Sequence, residues 1–123
     1  MTAKMAAIVL GVIFVVVGLL GFVQNPVVGL FQVNAVHNIV HLVSGLVLLA
    51  GAYSSLGSGL ALKIIGVVYA IVAVVGFFMV SSDGMMLGMA MNEADKWLHV
   101  VLAVVILIAG FALPDDEARM TAM

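Results

Sequence analysis

Gly11-Val-Ile-Phe14-Val-Val-Val-Gly18-Leu-Leu-Gly21-Phe22 returns later in the chain as Gly66-Val-Val-Tyr69-Ala-Ile-Val-Ala73-Val-Val-Gly76-Phe77. Neither run contains a charge, and each lies inside a longer apolar stretch of helix-spanning length. Continuing outward from the second glycine, with a slightly longer loop in the second half, Asn34 falls on Asn92, His37 on Asp95, His41 on His99 and Gly45 on Ala103. The chain therefore reads as one helical hairpin written twice.

Composition fixes the surroundings in which that hairpin works. Of the 123 residues 66% are apolar and only 8% charged, and the mean hydropathy is +1.38. Soluble domains carry roughly 25% charged residues, so the chain is an integral membrane protein. Four spans are expected, near 5–23, 34–53, 61–81 and 95–113, separated by Gln24-Asn25-Pro26, Ser54-Ser55-Leu-Gly57-Ser58-Gly59 and Ser81-Ser82-Asp83-Gly84. In lipid the backbone must satisfy its own hydrogen bonds, which makes helices the open-ended solution. The expected fold is all-α: a single transmembrane domain over 1–123, a four-helix bundle of two duplicated hairpins. A short polar tail follows at 114–123, with Asp115, Asp116, Glu117 and Arg119 solvated. Lys4 followed by an apolar core has the look of a signal peptide, but no small-residue cleavage site follows, so it reads as a retained helix.

Hairpins with an even number of spans enter from one side, so the internal two-fold axis is expected along the membrane normal. Small residues at Gly11, Gly18 and Gly21, and at Gly66, Ala73 and Gly76, suit close helix packing. Lys4, Lys63 and Arg119 fall on one side of the four-span topology and Lys96 on the other. The positive-inside rule then puts both termini in the cytoplasm. Trp97 and Tyr53 read as interface anchors, and mid-helix Tyr69 needs a hydroxyl partner, for which a backbone carbonyl is expected.

The polar residues are few and concentrated. Asn34-Ala-Val-His37-Asn38-Ile-Val-His41 and Asn92-Glu-Ala-Asp95-Lys-Trp-Leu-His99 each stack three polar side chains on one helical face. Ionisable groups at membrane depth are costly and face the bundle interior. The first candidate chemistry is a transition-metal site of His37, His41, Asp95 and His99 between helices 2 and 4. Three imidazoles and one carboxylate suit zinc and are tolerable for copper or iron. Four closed ligands would point to structure or sensing rather than catalysis. Asn34, Asn38 and Asn92 are candidates for orienting the imidazoles. A second candidate is haem with His41 and His99 as axial ligands, although a further histidine one turn away crowds that pocket. Met79, Met85, Met86, Met89 and Met91 form a third candidate, soft ligands for copper, set against their ordinary use as flexible apolar filler.

The competing structural reading is a hydrogen-bonded polar cluster that fixes the register of helices 2 and 4. Interhelical polar contacts in membranes average about 0.6 kcal/mol. Asp95 also has an innocent role, since Glu93 and Asp95 favour the dipole at a helix start. Neither cysteine nor a basic patch is present, which excludes disulfides, thiolate sites and a nucleic-acid footprint. Without an activated nucleophile, phosphate loop or nucleotide fingerprint, an enzyme is the less favoured class. The remaining functions are a metal- or haem-binding protein, an accessory subunit or homo-oligomer with a structural cluster, and more weakly a solute or proton conduit.

The residues assembled here resemble a family of small bacterial membrane proteins, domain of unknown function 4383. The likeness rests on Gly21-Phe22, Asn34-Ala-Val-His37-Asn38-Ile-Val-His41-Leu-Val-Ser-Gly45, Gly66-Val-Val-Tyr69 and Asn92-Glu-Ala-Asp95-Lys-Trp-Leu98-His99. The resemblance implies a four-span membrane protein and supplies no activity.

Overall fold

The structure, a computed structural model, describes residues 1–81 and 84–115. Ser82 and Asp83 of the third expected turn, and Asp116, Glu117 and Arg119 of the expected tail, lie outside the described residues. Four helices run α1 (Ala3–Leu20), α2 (Ala35–Tyr53), α3 (Ser58–Phe78) and α4 (Glu93–Ala112), with a small hairpin of β1 (Met85–Met86) and β2 (Met89–Ala90) between the last two. All four helices are long and apolar enough to cross a membrane, and the chain is a multi-pass membrane protein built as a four-helix bundle.

Helix ends follow local chemistry rather than the limits of the apolar runs. Thr2, Asn34 and Asn92 cap α1, α2 and α4 by accepting from the N–H groups of Met5, His37 and Asp95. α3 starts at Ser58 instead of 61 because Gly57, at φ 87°, turns the chain straight into the helix. α1 stops at Leu20 instead of 23 because the next residues tighten into short turns, Phe22 N–H to Leu19 O at 3.1 Å and Val23 N–H to Leu20 O at 3.0 Å.

α1 packs closely on α2, and α3 on α4, as the duplication requires. Their seams are made of small residues, since lipid offers no hydrophobic drive and backbones must approach for dispersion contacts. Gly11 sits against Leu49 and the Gly45 carbonyl, and Gly66 sits against Leu107. Leu107 follows Leu49 by the same 58 residues that separate Asn92 from Asn34, so the two seams are copies. At one end of the bundle Lys4 Nζ lies 5.4 Å from the centre of the Tyr53 ring, and Lys63 Nζ lies 5.0 Å from that of Phe111. Tyr53 and Phe111 are again 58 residues apart.

The halves clasp each other at the opposite end. Both connections fold back on a turn with two positive-φ residues, Val28 and Gly29 in the first, Leu87 and Gly88 in the second. Asn34 Nδ2 donates to Gly88 O at 2.9 Å, and Asn92 Nδ2 donates to Leu30 O at 2.8 Å. Each capping asparagine thus ties its own helix start to the other half's loop. Asn34→Ala and Asn92→Ala are each expected to cost about 1–2 kcal/mol, a lost cap plus a lost brace. Thermal unfolding in detergent measures this, and an unchanged midpoint in both variants contradicts the brace.

Two further features of the fold depart from the sequence reading. Asp115 is not simply solvated, because its carboxylate packs against Gly59 in the first turn of α3, while Pro114 O accepts the Ala3 N–H at 3.0 Å. The halves are also not packed identically against each other. α2 lies closer to α3 than α1 does to α4, and the backbones of α2 and α4 stand apart across the bundle.

Candidate metal centre

The gap between α2 and α4 is spanned by side chains. His37 and His41 from α2 meet His99 from α4 on the bundle axis, each buried to 4% exposure or less. Ring centres lie 4.6 Å apart for His37 and His41, 5.5 Å for His37 and His99, and 6.2 Å for His41 and His99. One ring nitrogen from each histidine can be chosen so that all three lie within 4.8 Å of one another. Three buried histidines are therefore positioned as a group able in principle to hold a metal ion.

Hydrogen bonding fixes one of these rings. His37 Nδ1 stands 2.8 Å from Ala90 O, and a carbonyl can only accept, so Nδ1 carries the proton and Nε2 keeps its lone pair. This is the arrangement by which a backbone carbonyl commonly orients a metal-binding imidazole. His37 Nε2, both ring nitrogens of His41 and His99 Nδ1 are buried without a hydrogen-bond partner. Leaving a buried polar group unpaired costs about 1–3 kcal/mol. Four such nitrogens on three adjoining rings are a strongly unsatisfied set.

Asp95 does not join that group. Its carboxylate accepts the Asn92 N–H at 3.0 Å while its own N–H donates to Asn92 Oδ1 at 2.9 Å, a reciprocal cap at the start of α4. The Gln32 N–H also bonds this carboxylate. Gln32 and Ala90 are equivalent positions 58 residues apart, which accounts for the one mismatch in the duplicated motif. Where His37 donates to a loop carbonyl, Asp95 accepts from the matching loop N–H. The same cross-link is kept with its polarity reversed. Asn34 and Asn92 likewise cap helices and brace loops instead of orienting imidazoles, and Asn38 is buried against Gly21 with its Oδ1 unpartnered.

Aromatic rings wall the site in matched pairs. Phe14 lies 5.7 Å from His41, Tyr69 lies 5.7 Å from His99, and the two walls meet at 5.2 Å. Phe14 and Tyr69 are the aligned aromatics of the repeated run, so their shared position was a signal the sequence carried. The Tyr69 hydroxyl lies 3.0 Å from Ser44 Oγ, which itself donates to Val40 O at 2.7 Å. With Ser44's proton committed there, Tyr69 donates to Ser44, a side-chain partner where a carbonyl was expected. Met86, Met89 and Met91 are buried with Val40, Val72, Val75 and Val80 in an apolar cluster beside α2 and α3, while Met79 is exposed.

Comparison with curated proteins and with solved structures yields no match. The repeated spans, the two capping asparagines and the histidines between them nonetheless fall together within one recognised pattern. A family model described as Domain of unknown function (DUF4383) matches residues 4–112, and the chain belongs to that family.

Proposed function

We propose that this protein binds a divalent transition metal within the membrane through His37 Nε2 and one ring nitrogen each from His41 and His99. The observation that carries this reading is that one ring nitrogen each from His37, His41 and His99 lies within 4.8 Å of the others, with His37 oriented by the Ala90 carbonyl and its Nε2 left unpartnered. Three neutral imidazoles suit zinc, copper or iron, and with Asp95 engaged elsewhere a fourth coordination position stays open. An open position is the mark of a site that exchanges or activates a ligand rather than one closed for structure. Haem on His41 and His99 is less favoured, because His37 stands 4.6 Å and 5.5 Å from those two rings and fills the space a macrocycle between them needs.

The proposed setting is a bacterial plasma membrane with both termini cytoplasmic. In support, Lys4 and Lys63 share one end of the bundle, and Lys96 sits at the other, paired with Glu93 at 2.8 Å. The metal site then lies toward the outer face.

Metal content per chain tests the reading. Wild-type protein exposed to zinc and desalted is expected to retain one equivalent, and Asp95→Asn to retain it too, since an amide oxygen still accepts at the helix cap. Metal-free wild type with a normal fold leaves the accessory-subunit reading with a purely structural cluster. Loss of zinc in Asp95→Asn would instead make the carboxylate a ligand.

A further inference from the structure

Each of the three histidine rings is exposed to 4% or less, so a metal ion enters or leaves only when something covering them moves. The helices are poorly suited to that motion, because backbone and side chain are in close contact along their seams. The hairpin of β1 and β2 is the weaker element. Its ladder has two residue pairs, Met85 with Ala90 and Met86 with Met89, and a two-stranded hairpin on its own is marginal at best. Anchors outside the ladder hold it down. Met86, Met89 and Met91 pack against Val40 of α2 and Val72 and Val75 of α3. Gly88 O accepts from Asn34 Nδ2 at 2.9 Å, and Ala90 O accepts from His37 Nδ1 at 2.8 Å.

The last of these anchors is a hydrogen bond to a proposed metal ligand. Among the described residues no other hydrogen bond reaches the three rings. A metal on His37 Nε2 draws electron density from the ring and makes Nδ1–H a stronger donor, while the carbonyl makes Nε2 a better ligand. The bond between ring and hairpin therefore tightens when metal binds. The first loop has no such link. Its Gln32 N–H bonds Asp95 and its Leu30 carbonyl accepts from Asn92, and neither side chain belongs to the proposed ligand set. With Asp95 standing where the other half has His37, only one of the two loops is tied to the metal.

We infer that the β1–β2 hairpin is a lid over the metal centre, held closed by bound metal through His37. The lid rests on the metal reading above and gives that site its gate. Linkage makes the effect reciprocal: metal favours the closed lid by the same factor by which the closed lid favours metal. That factor is about 10-fold, the gain of a hydrogen bond from a charged donor over a neutral one. Lifting the hairpin releases His37 from its fixed orientation, so the motion that uncovers the ion also loosens its hold.

Hydrogen exchange read by mass spectrometry, on the full chain in detergent with zinc or with chelator, follows the lid directly. Zinc is expected to slow exchange of the amides between 84 and 91 about 10-fold more than that of the amides between 27 and 31. Met89→Ser removes an anchor without touching a ligand, and Phe31→Ser makes the same change at the equivalent position of the first loop. Zinc loss to a competing chelator is expected to be at least 10-fold faster in Met89→Ser and unchanged in Phe31→Ser. Zinc retained with equal slowing of the two loops, or with no slowing, overturns the lid and leaves the metal site standing. Equal zinc loss from the two variants overturns it as well. A chain that retains no zinc overturns the metal reading and the lid together.

Discussion

His41→Leu is expected to abolish zinc-dependent stabilisation while leaving the metal-free protein as stable as wild type, or more so. In metal-free wild type the His41 ring has both nitrogens buried and unpartnered, and replacing an unsatisfied polar group by an apolar one of similar size is neutral to favourable. Zinc at a thousand times its dissociation constant adds about 4 kcal/mol to a protein that binds it only when folded. Removing one of three ligands should weaken binding by more than the ~10–100-fold typical of losing a supporting group, so that stabilisation disappears. Unfolding midpoints of both proteins with zinc and with chelator measure both halves of the prediction. A purely structural cluster gives the opposite pattern, a destabilised metal-free variant and no zinc response in either protein.

The second large effect concerns the seam. A Cβ added at Gly45 would stand 2.7 Å from Gly11 O and 2.9 Å from Val15 N, both backbone atoms that cannot swing aside. Gly45→Ala is therefore expected to push α1 off α2 and cost about 1–3 kcal/mol, and Gly45→Leu to prevent the hairpin from closing. The duplicate position already holds Ala103, buried at 5% exposure. Ala103→Gly should cost only the roughly 0.5–1 kcal/mol of a helical glycine. Thermal midpoints in detergent compare them, and a harmless Gly45→Ala contradicts the seam geometry.

Much of this architecture was legible in the residues because it was written twice. The repeat of Gly11 through Phe22 at Gly66 through Phe77 gave the hairpins, and the matched asparagines gave two helix starts. Spacing of three and then four further residues from each asparagine put His37, His41 and His99 on inward faces, and the structure brings all three together. Asp95 shared that spacing and still went elsewhere. A carboxylate three residues after an N-cap is held by backbone N–H groups within its own first turn, and which loop N–H joins them depends on tertiary fold. The methionines were ambiguous for a similar reason. Met86 and Met89 sit on opposite arms of a turn set by Leu87 and Gly88, and only the folded loop shows them filling a groove. Helix limits moved by two or three residues where turns, not hydropathy, decided the ends.

X-ray absorption at the zinc edge of metal-loaded protein addresses the centre most directly. Three imidazole nitrogens at about 2.0–2.1 Å are expected, falling to two or to loss of the metal when His99 is replaced by alanine. A first shell of oxygen without imidazole scattering, or an imidazole count unmoved by that substitution, would contradict a tri-histidine site between α2 and α4.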